Sequence, residues 1–338
     1  IRRELEELGR ALAPGYEFEF YPLDVRFKSQ WRRRLFYLFA FFARPFVQGR
    51  LKSLSFFLED GCAKILEHQH ADLIVSAGSS LAPLNLLLKR ENLAKSIVVM
   101  KPSFPYHLNF FDLLIVPAHD ALPNRASHVI RTLVTPSQID EPLLQRMGDL
   151  LREKIKLSSN GTRRVGVFIG GNTKSYRFQP VAFLKWLREL KTFAHESNLE
   201  LLVTTSRRTR REIEQLVKDE LASHPSTKLL VIANESNWDG VSYGMLALSD
   251  VVLVTEDSIS MVSEALRAGK RVVVMQLGNG KLPRKHSRFH EVLRSSDLIH
   301  LANAADFRQR LTRDHWGWKD TVLERESQLI QQALRKLL

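Results

Sequence analysis

Three short segments that follow runs of apolar residues contain glycine, hydroxyl or basic residues. They are Gly170, Gly171, Asn172 and Lys174; Thr205, Ser206 and Arg207; and Asp257, Ser258 and Ser260. Backbone N–H groups in glycine turns and at helix N-termini bind phosphate, and lysine, arginine and hydroxyl groups add charge and further donors. Each segment alone is also compatible with an ordinary turn or helix start. Because three of them follow predicted strand ends in the same half of the chain, we predict a nucleotide-diphosphate site.

A carboxylate and a polar stretch extend this predicted site beyond the diphosphate. Glu264 falls about two turns into the helix predicted after Ser258, where a carboxylate is able to accept two hydrogen bonds from a ribose diol. The polar residues 233–243 join a predicted strand to a helix and offer an edge for a nucleobase. The alternative is a solvated glutamate on an ordinary capped helix.

A titratable pair closes another apolar run in the first half of the chain. His119 and Asp120 follow the predicted strand 113–117, and either is a candidate general base toward an acceptor hydroxyl. The preceding loop offers three polar residues to an acceptor, namely Lys101, Ser103 and His107. Neighbouring His and Asp residues are commonly structural, and that interpretation stays open at this point.

The elements that must position these residues follow one pattern along the chain. Short β-branched runs alternate with helical periods, and the predicted strands cover residues 16–21, 72–76, 96–100, 113–117, 128–134, 164–170, 199–205, 229–233, 251–255, 271–276 and 298–301. This alternation is typical of parallel sheets with helices on both faces. The sequence therefore predicts an α/β protein with two Rossmann-like, doubly wound domains that face a cleft.

The domain limits follow from length and from one polar segment. A chain of 338 residues favours two domains, and residues 158–162, which include an Asn-Gly pair, are the best linker candidate. We predict an N-terminal domain over 1–158 that binds an acceptor and faces a membrane, and a C-terminal nucleotide-sugar-binding domain over 159–320. The final helix, 321–338, is predicted to pack back on the first domain.

Charge and motifs exclude several classes of function. Lys and Arg number 50 against 37 Asp and Glu, and this net charge of +13 favours anionic partners. A single cysteine, Cys62, excludes an internal disulfide framework and a multi-thiolate zinc site. The sequence contains no HExxH, GxSxG or kinase signature, so we expect no metal and no serine-hydrolase chemistry. Nucleic acid ranks last as a partner, since the basic residues cluster at predicted strand ends.

One segment of the first half is both basic and aromatic. No acidic residue lies between Asp24 and Glu59, and the residues that suit a membrane surface are Trp31, Arg32, Arg33, Arg34, Phe39 and Phe42. Cations that reach phosphates and rings at headgroup depth are typical of interfacial helices. The apolar run 35–43 is far shorter than the ~20 residues that span a bilayer. The alternative is a buried helix with a solvated basic end.

Four strings of the sequence resemble a known family. Residues 168–172, 254–264, 111–120 and 285–290 read FIGGN, VTEDSISMVSE, FDLLIVPAHD and KHSRFH. They are similar to the "elongated mitochondria" (mitochondrial fission) family of plants and many bacteria. The resemblance covers nearly the whole chain, and the string around Thr255 is its most specific part.

The resemblance implies a fold, an activity and roles for several residues. The family looks like a branch of the GT-B glycosyltransferases, similar in design to the enzyme that adds N-acetylglucosamine to undecaprenyl-linked muramyl pentapeptide. Such enzymes bind a nucleotide sugar in the C-terminal domain and an acceptor in the N-terminal domain, without a metal. By position, the resemblance puts Gly170, Gly171, Asp257, Ser258 and Ser260 near the diphosphate, Glu264 near the ribose and Arg288 near the donor sugar.

We therefore expect a metal-independent glycosyltransferase with no cofactor besides its nucleotide-sugar substrate. It would transfer the sugar to a lipid-linked or cell-envelope glycan acceptor, bound peripherally at the cytoplasmic face of the bacterial inner membrane. Relatives begin with a strand and a Gly-His turn that this sequence lacks, so the general base is His119, Asp120 or a group before residue 1. The alternative function is a non-enzymatic adaptor that recruits a protein partner at a membrane, as in mitochondrial fission.

Overall fold

The computed structural model describes residues 19–43, 49, 51–122, 126–137, 139–158, 161–172, 176–279, 282–312 and 321–338. Its strands are β1 Leu73–Ala77, β2 Lys95–Val99, β3 Leu113–Pro117, β4 Val129–Thr132, β5 Arg164–Phe168, β6 Arg177–Phe178, β7 Glu200–Thr204, β8 Thr227–Val231, β9 Val251–Thr255, β10 Arg271–Met275, β11 Gly278–Asn279 and β12 Ile299–Ala302. Its α-helices are α1 Gln30–Ala43, α2 Leu54–Phe57, α3 Asp60–His68, α4 Ala82–Asn92, α5 Glu141–Lys154, α6 Pro180–Glu196, α7 Arg211–Leu221, α8 Val241–Leu248, α9 Ile259–Arg267, α10 Arg284–Ser295, α11 Phe307–Thr312 and α12 Thr321–Leu337.

The chain divides into two compact units. Unit 1 comprises the residues up to Thr132 together with Thr321–Leu338, and unit 2 comprises Leu133–Asp320. This boundary lies earlier than the predicted linker at 158–162, because α5 packs closely against α8 within unit 2. Gly244 of α8 permits that packing, since a Cβ there would clash with the Met147 carbonyl oxygen and crowd Leu151. Residues 133–158 therefore belong with the second unit.

Unit 1 is built on a parallel sheet with the strand order β1-β2-β3-β4. Its central strands are continuous apolar runs, which is typical of strands covered on both faces. The C-terminal helix α12 supplies one cover, because Ile330 and Leu334 pack in one cluster with Ile97, Leu113 and Ile115. A second apolar cluster joins α1, α2 and α4, with Phe36 fully buried at its centre.

Unit 2 contains a six-stranded parallel sheet with the order β12-β10-β9-β5-β7-β8. The chain starts this sheet at β5, adds β7 and β8 on one side, and then returns to add β9, β10 and β12 on the other. The boundary between β5 and β9 is therefore a topological switch point, where ligands of doubly wound folds bind beyond the carboxyl ends of the strands. Two aromatic residues of α6, Phe183 and Trp186, are fully buried against this sheet.

The predicted α/β architecture with parallel sheets is confirmed. Every strand predicted from residue 72 onward is present, with ends within two residues of the expected ones. The predicted strand 16–21 is different: residues 19–21 form no strand, and 16–18 lie outside the described residues. The two-stranded antiparallel ribbon of β6 and β11 was not predicted, because strands of two residues carry no hydrophobic period.

Candidate functional site

The loops after β5 and β9 meet directly at the switch point. The N–H of Gly170 donates to Thr255 Oγ1 at 2.7 Å, and the N–H of Gly171 donates to Asp257 Oδ2 at 2.7 Å. Thr255 Oγ1 in turn donates to Asp257 Oδ1 at 2.7 Å. The structure thus brings together two of the three segments predicted for the diphosphate, and their chief link is the carboxylate of Asp257.

This arrangement uses polar groups of three residues predicted near the diphosphate for bonds within the protein. The side chain of Asp257 is 0% exposed, and it occupies the N–H group of Gly171 that was predicted to face a phosphate. The N–H group of Gly170 is likewise paired within the protein. In this structure Gly170, Gly171 and Asp257 form a brace between two loops, in which both glycine N–H groups and the carboxylate are hydrogen-bonded within the protein.

The two glycines are required by close approach. A Cβ at Gly170 would overlap the carboxylate of Asp257, and a Cβ at Gly171 would overlap the backbone of Arg208. Glycine is the residue that removes such a clash. The Gly-Gly pair therefore marks a place where three loops touch, which is a stronger constraint than a simple tight turn.

The third predicted segment, after β7, joins the same brace through a residue that the sequence analysis missed. Thr209 Oγ1 donates to the carbonyl oxygen of Gly170 at 2.6 Å and accepts from the N–H of Ser206 at 2.9 Å. The hydroxyl of the predicted Thr205 instead accepts from the N–H of Ala233 at 2.9 Å. Thr205 is buried and holds the loop after β8, whereas Arg207 is exposed at the sheet edge.

Two further predicted residues have different outcomes. Asn172 Oδ1 accepts from the N–H of Phe178 at 3.0 Å, so its side chain is bonded to β6. Lys174 lies outside the described residues. The cation that the structure does place at the brace is Arg208, whose Nη2 lies 3.5 Å from Asp257 Oδ2. Sequence analysis had named its neighbour Arg207.

The glutamate beside Asp257 was not predicted, and it forms a second brace. Glu256 Oε1 accepts from the Tyr176 hydroxyl at 2.8 Å and from the N–H groups of Leu277 and Gly278 at 3.1 and 3.2 Å. Burial raises the pKa of Glu256 above its usual range. The acidic pair after β9 therefore ties the ends of β5, β9 and β10 together, and the exposed part of the site must lie further along the chain.

Burial also dominates the electrostatics of Asp257. Desolvation raises the pKa of this carboxyl to about 6, although the hydrogen bonds from Thr255 and Gly171 and the charge of Arg208 oppose the rise. Moving a carboxylate out of water disfavours its charged form. Asp257 is accordingly poised to change charge just below neutral pH, inside a brace that holds two loops.

The N-terminus of α9 is the part of the site with donors left over. This helix starts after Ser258, and Ser258 makes no side-chain capping hydrogen bond although it occupies the N-cap position. The first N–H groups of a helix have no partner within the helix, and the helix dipole adds positive potential there. Ser258 is buried, whereas Ser260 in the first turn is exposed. These features suit a phosphate group.

Glu264 lies further along α9 and lacks a partner. Its carboxylate has neither a hydrogen bond nor an ion pair among the residues that the structure describes. Burial raises the pKa of Glu264. Burial also raises the pKa of Tyr243 in α8, and the nearby charge of Glu264 raises it further. A half-buried carboxylate without a partner is costly to maintain, so its position is consistent with the predicted contact to a ligand diol.

Helix α10 carries the predicted Arg288 and a histidine that the prediction missed. Arg288 is exposed, whereas His286 Nε2 donates to the carbonyl oxygen of Asp257 at 3.0 Å. Burial lowers the pKa of His286, and it lowers the pKa of His290 to about 4. The string at 285–290 was noticed for its resemblance, and the first of its histidines, His286, anchors α10 against the brace.

In unit 1 the predicted acceptor and base residues lie near the ends of β2 and β3. His119 is 2% exposed, so its ring does not face solvent as a general base toward a bound acceptor would. Asp120 is half-buried, and its carbonyl oxygen accepts from Arg131 at 3.2 Å. Of the two base candidates, only Asp120 has the exposure that the role requires.

The three predicted acceptor contacts serve the loops of unit 1 in this structure. Lys101 Nζ donates to the carbonyl oxygen of Ala121 at 2.6 Å, and the Ser103 carbonyl oxygen accepts from the N–H of Tyr106 at 3.0 Å. The ring of His107 contacts Phe110 edge-on, with centroids 5.6 Å apart. Their role toward an acceptor remains a prediction.

Helix α1 exposes most of the residues predicted to meet a membrane. Trp31 is 56% and Phe42 is 72% exposed, and Arg33 and Arg34 are exposed between them. Arg32 lies over the Trp31 ring at 5.4 Å. Phe39 is different, because it packs on Phe57 with ring centroids 4.9 Å apart and so contributes to the core. Among the helices that the structure describes, none has the length and hydropathy of a membrane-spanning segment.

The described residues contain no cluster of three or more His, Cys, Asp or Glu side chains arranged to hold a metal ion.

Comparisons with known proteins place the chain among relatives. The family model for mitochondrial fission ELM1 matches residues 3–329. The chain belongs to the mitochondrial fission ELM1 family. The resemblance noted in the sequence is thereby confirmed.

Two curated proteins are similar to this ELM1 family member in sequence. An uncharacterized protein of Rickettsia prowazekii is 26% identical over 267 residues, which cover 71% of this chain and 74% of that protein. The mitochondrial fission protein ELM1 of Arabidopsis thaliana is 24% identical over 218 residues, which cover 57% of this chain. The matched region spans about half of the Arabidopsis protein, 48% of its length.

Solved structures confirm the fold of this ELM1 family member. UDP-GlcNAc 2-epimerase from Methanocaldococcus jannaschii has a TM-score of 0.50 at 10% identity, over 80% of this chain and 79% of that one. UDP-GlcNAc 2-epimerase from Neisseria meningitidis, bound to UDP-GlcNAc, has a TM-score of 0.50 at 13% identity, over 85% and 80%. The chain therefore has the GT-B type of Rossmann-like fold.

Proposed function

We propose that this protein is a glycosyltransferase that uses a nucleotide-sugar donor and no metal ion. The observation that carries the proposal is the N-terminus of α9, which has no side-chain cap and lies beside the switch point of the unit 2 sheet. Helix N-termini at such positions bind phosphates in many nucleotide-binding folds. The Neisseria epimerase with this fold is itself bound to UDP-GlcNAc, which supports a nucleotide sugar as the ligand.

Each part of the donor is assigned to residues of unit 2. The diphosphate binds at the start of α9, with the exposed hydroxyl of Ser260 and the nearby guanidinium of Arg208 as further contacts. Glu264 accepts hydrogen bonds from the ribose diol, and Arg288 approaches the sugar. The braces formed by Asp257 and Glu256 act indirectly, since they hold the loops that flank the helix start.

The proposed reaction moves the sugar from the diphosphate to a hydroxyl. The acceptor oxygen forms a bond to the anomeric carbon, and the bond between that carbon and the diphosphate oxygen breaks. The diphosphate leaves with the electron pair, and the positive end of α9 with the arginine side chains stabilises its charge. The hydroxyl proton passes to a general base, for which Asp120 is the candidate with suitable exposure.

Unit 1 is assigned to the acceptor and to a membrane surface. We infer a lipid-linked or cell-envelope glycan acceptor, with the protein bound peripherally to the cytoplasmic face of the bacterial inner membrane. The support is the exposed apolar stripe on α1, with Trp31, Leu35, Leu38 and Phe42 at spacings of four, three and four residues. Such spacing places the four side chains along one helix face, and the neighbouring arginines suit anionic headgroups.

Thermal unfolding of the full chain with nucleotides tests the donor assignment. UDP, CMP, ADP and GDP are each added at increasing concentration, and we expect one nucleotide to raise the melting temperature in a saturable way. The rise should disappear in Glu264→Gln. It should persist in the matched control Glu153→Gln, because Glu153 is an exposed residue of α5. The rise should also survive addition of EDTA.

The second candidate is an adaptor that keeps this fold without transfer chemistry. Membership of a family described as mitochondrial fission ELM1 favours it. The adaptor predicts that no nucleotide or nucleotide sugar changes the melting temperature at any concentration. The same titration therefore separates the two candidate functions.

A further inference from the structure

A groove in unit 1 lies outside the residues assigned to the donor. It has a volume of about 470 Å³, and its walls include Arg33, Arg34, Tyr37, Leu38, Ser80 and Phe104. Four of these residues come from α1, Ser80 follows the end of β1, and Phe104 lies in the loop after β2. The groove therefore opens at the carboxyl edge of the unit 1 sheet, which is where α/β sheets bind ligands.

The base of the groove is fixed by hydrogen bonds. The Tyr37 hydroxyl donates to the Ser79 carbonyl oxygen at 2.5 Å, and the Tyr106 hydroxyl donates to the Tyr37 carbonyl oxygen at 2.6 Å. The two tyrosine rings also meet edge to face, with centroids 5.5 Å apart. The groove is thus a preformed feature of the fold, which lowers the entropic cost of binding a ligand.

The lips of the groove are apolar and have no protein cover. Phe104 is 90% exposed and Leu38 is 56% exposed. Leu38 belongs to the exposed stripe of α1, so the apolar surface continues from the groove onto the helix. Exposed aromatic and aliphatic side chains in one continuous patch mark a surface that meets another apolar phase.

The charges at the groove are of one sign. Arg33 and Arg34 are exposed and have no ion-pair partner among the described residues. The sequence around them contains no acidic residue between Asp24 and Glu59. A phosphate that carries a hydrocarbon chain satisfies both features at once, since arginine pairs with phosphate and the chain covers the apolar lips.

We propose that this groove binds the phosphate head of a single anionic lipid while α1 lies in the membrane interface. Arg33 and Arg34 pair with the phosphate, and Leu38 and Phe104 contact the first carbons of the chain. The inference rests on the proposed function where it treats this lipid as the carrier of the acceptor glycan. The binding event itself involves only unit 1 and is measured without nucleotide.

The first part of the test uses vesicles and the full chain. Sedimentation with phosphatidylcholine vesicles, with and without one-fifth phosphatidic acid, should show binding only when the anionic lipid is present. Arg33→Ala/Arg34→Ala should lower the partition coefficient roughly tenfold or more. The matched control Arg325→Ala/Arg335→Ala removes two exposed arginines from α12 and should change it less than twofold. Equal losses in both variants would overturn the proposal.

The second part separates the groove from general adsorption to a charged surface. Calorimetry with dihexanoyl phosphatidic acid, kept below its micelle concentration, should detect saturable binding that is lost in Leu38→Ser and kept in Leu329→Ser. Leu329 is a comparable control because it is 41% exposed on α12. Absence of monomer binding, or equally tight binding of inorganic phosphate, overturns the lipid assignment. A nucleotide response without lipid binding refutes this inference alone, and the reverse result refutes the donor assignment alone.

Discussion

The polar loops of unit 2 and the groove of unit 1 satisfy their polar groups in opposite ways. Asp257 and Glu256 are buried and hydrogen-bonded to neighbouring loops. Arg33 and Arg34 are exposed and have no ion-pair partner within the described parts of the chain. Buried polar networks hold the loops that they connect in one geometry, whereas exposed charges beside apolar residues are accessible to a binding partner. This difference agrees with the two proposals. Unit 2 holds a small ligand beside a rigid frame, which is the pair of braces formed by Asp257 and Glu256, and unit 1 contacts a membrane surface.

The comparison first predicts a large stability loss in the unit 2 frame. Asp257→Ala leaves the N–H of Gly171 and the hydroxyl of Thr255 unpaired in a buried place. We expect the free energy of unfolding to fall by about 3 kcal/mol or more. Chemical denaturation measures it, with Asp149→Ala as the control at an exposed pair, where the loss should stay below about 1 kcal/mol. Equal effects at both positions would remove the case for a frame.

The second prediction concerns pH. The pKa of Asp257 is raised by burial to about 6, so the folded protein binds a proton more tightly than the unfolded chain. Proton binding at Asp257 therefore stabilises the folded protein at acid pH, and this stabilisation is lost as pH rises through about 6. Wild type should therefore lose on the order of 2 kcal/mol relative to Asp257→Asn between pH 4 and pH 7.5. A difference between the two proteins that stays constant over this range contradicts the assignment.

The third prediction uses the glycines of the frame. Gly171→Ala places a methyl group against the backbone of Arg208, and we expect a loss of about 1–3 kcal/mol in unfolding free energy. Gly61→Ala is the matched control, because Gly61 lies in α3 with open space around it. Alanine there should stabilise the helix by up to about 1 kcal/mol. Opposite signs for the two variants are the result to look for.

The smallest effect is expected in the groove. Leu38→Ser and Phe104→Ala remove exposed apolar side chains, and each should change the free energy of unfolding by about 0.5 kcal/mol or less. The same two variants should nonetheless reduce lipid binding. A stability loss of several kcal/mol in either variant would mean that the patch is structural, and the contrast between the two units would disappear.

Sequence patterns predicted the secondary structure of this molecule better than the contacts between its loops. Parallel sheets follow from β-branched runs that alternate with helical periods, and that signal needs only local spacing. The strand order of unit 2 and the meeting of its loops depend on contacts such as Gly170 with Thr255, which are separated by 85 residues. No local period encodes such a pair.

The missed site residues show the same limit. Thr209 and His286 are polar residues near predicted loops, and only the packed structure reveals that Thr209 bonds to Gly170 and His286 to Asp257. Asp257 was expected near a diphosphate because the family resemblance put it there by position. In the structure its carboxylate is buried and bonds to Gly171 and Thr255, a contact that no local pattern predicted. The Gly-Gly pair was a signal that the sequence did contain. It indicates that another group lies close to the backbone, and in the structure that group belongs to the loops of Asp257 and Arg208.

The central claim is that the start of α9 holds the diphosphate of a nucleotide sugar, and amide chemical shifts test it most directly. The ¹⁵N-labelled full chain is titrated with the nucleotide that raises its melting temperature, or with UDP-GlcNAc if none does. The account predicts saturable shifts concentrated at Ile259, Ser260 and Met261, with small changes at Gly171, whose N–H is already bonded to Asp257. Shifts confined to other parts of unit 2, or no shifts at millimolar nucleotide, would contradict it.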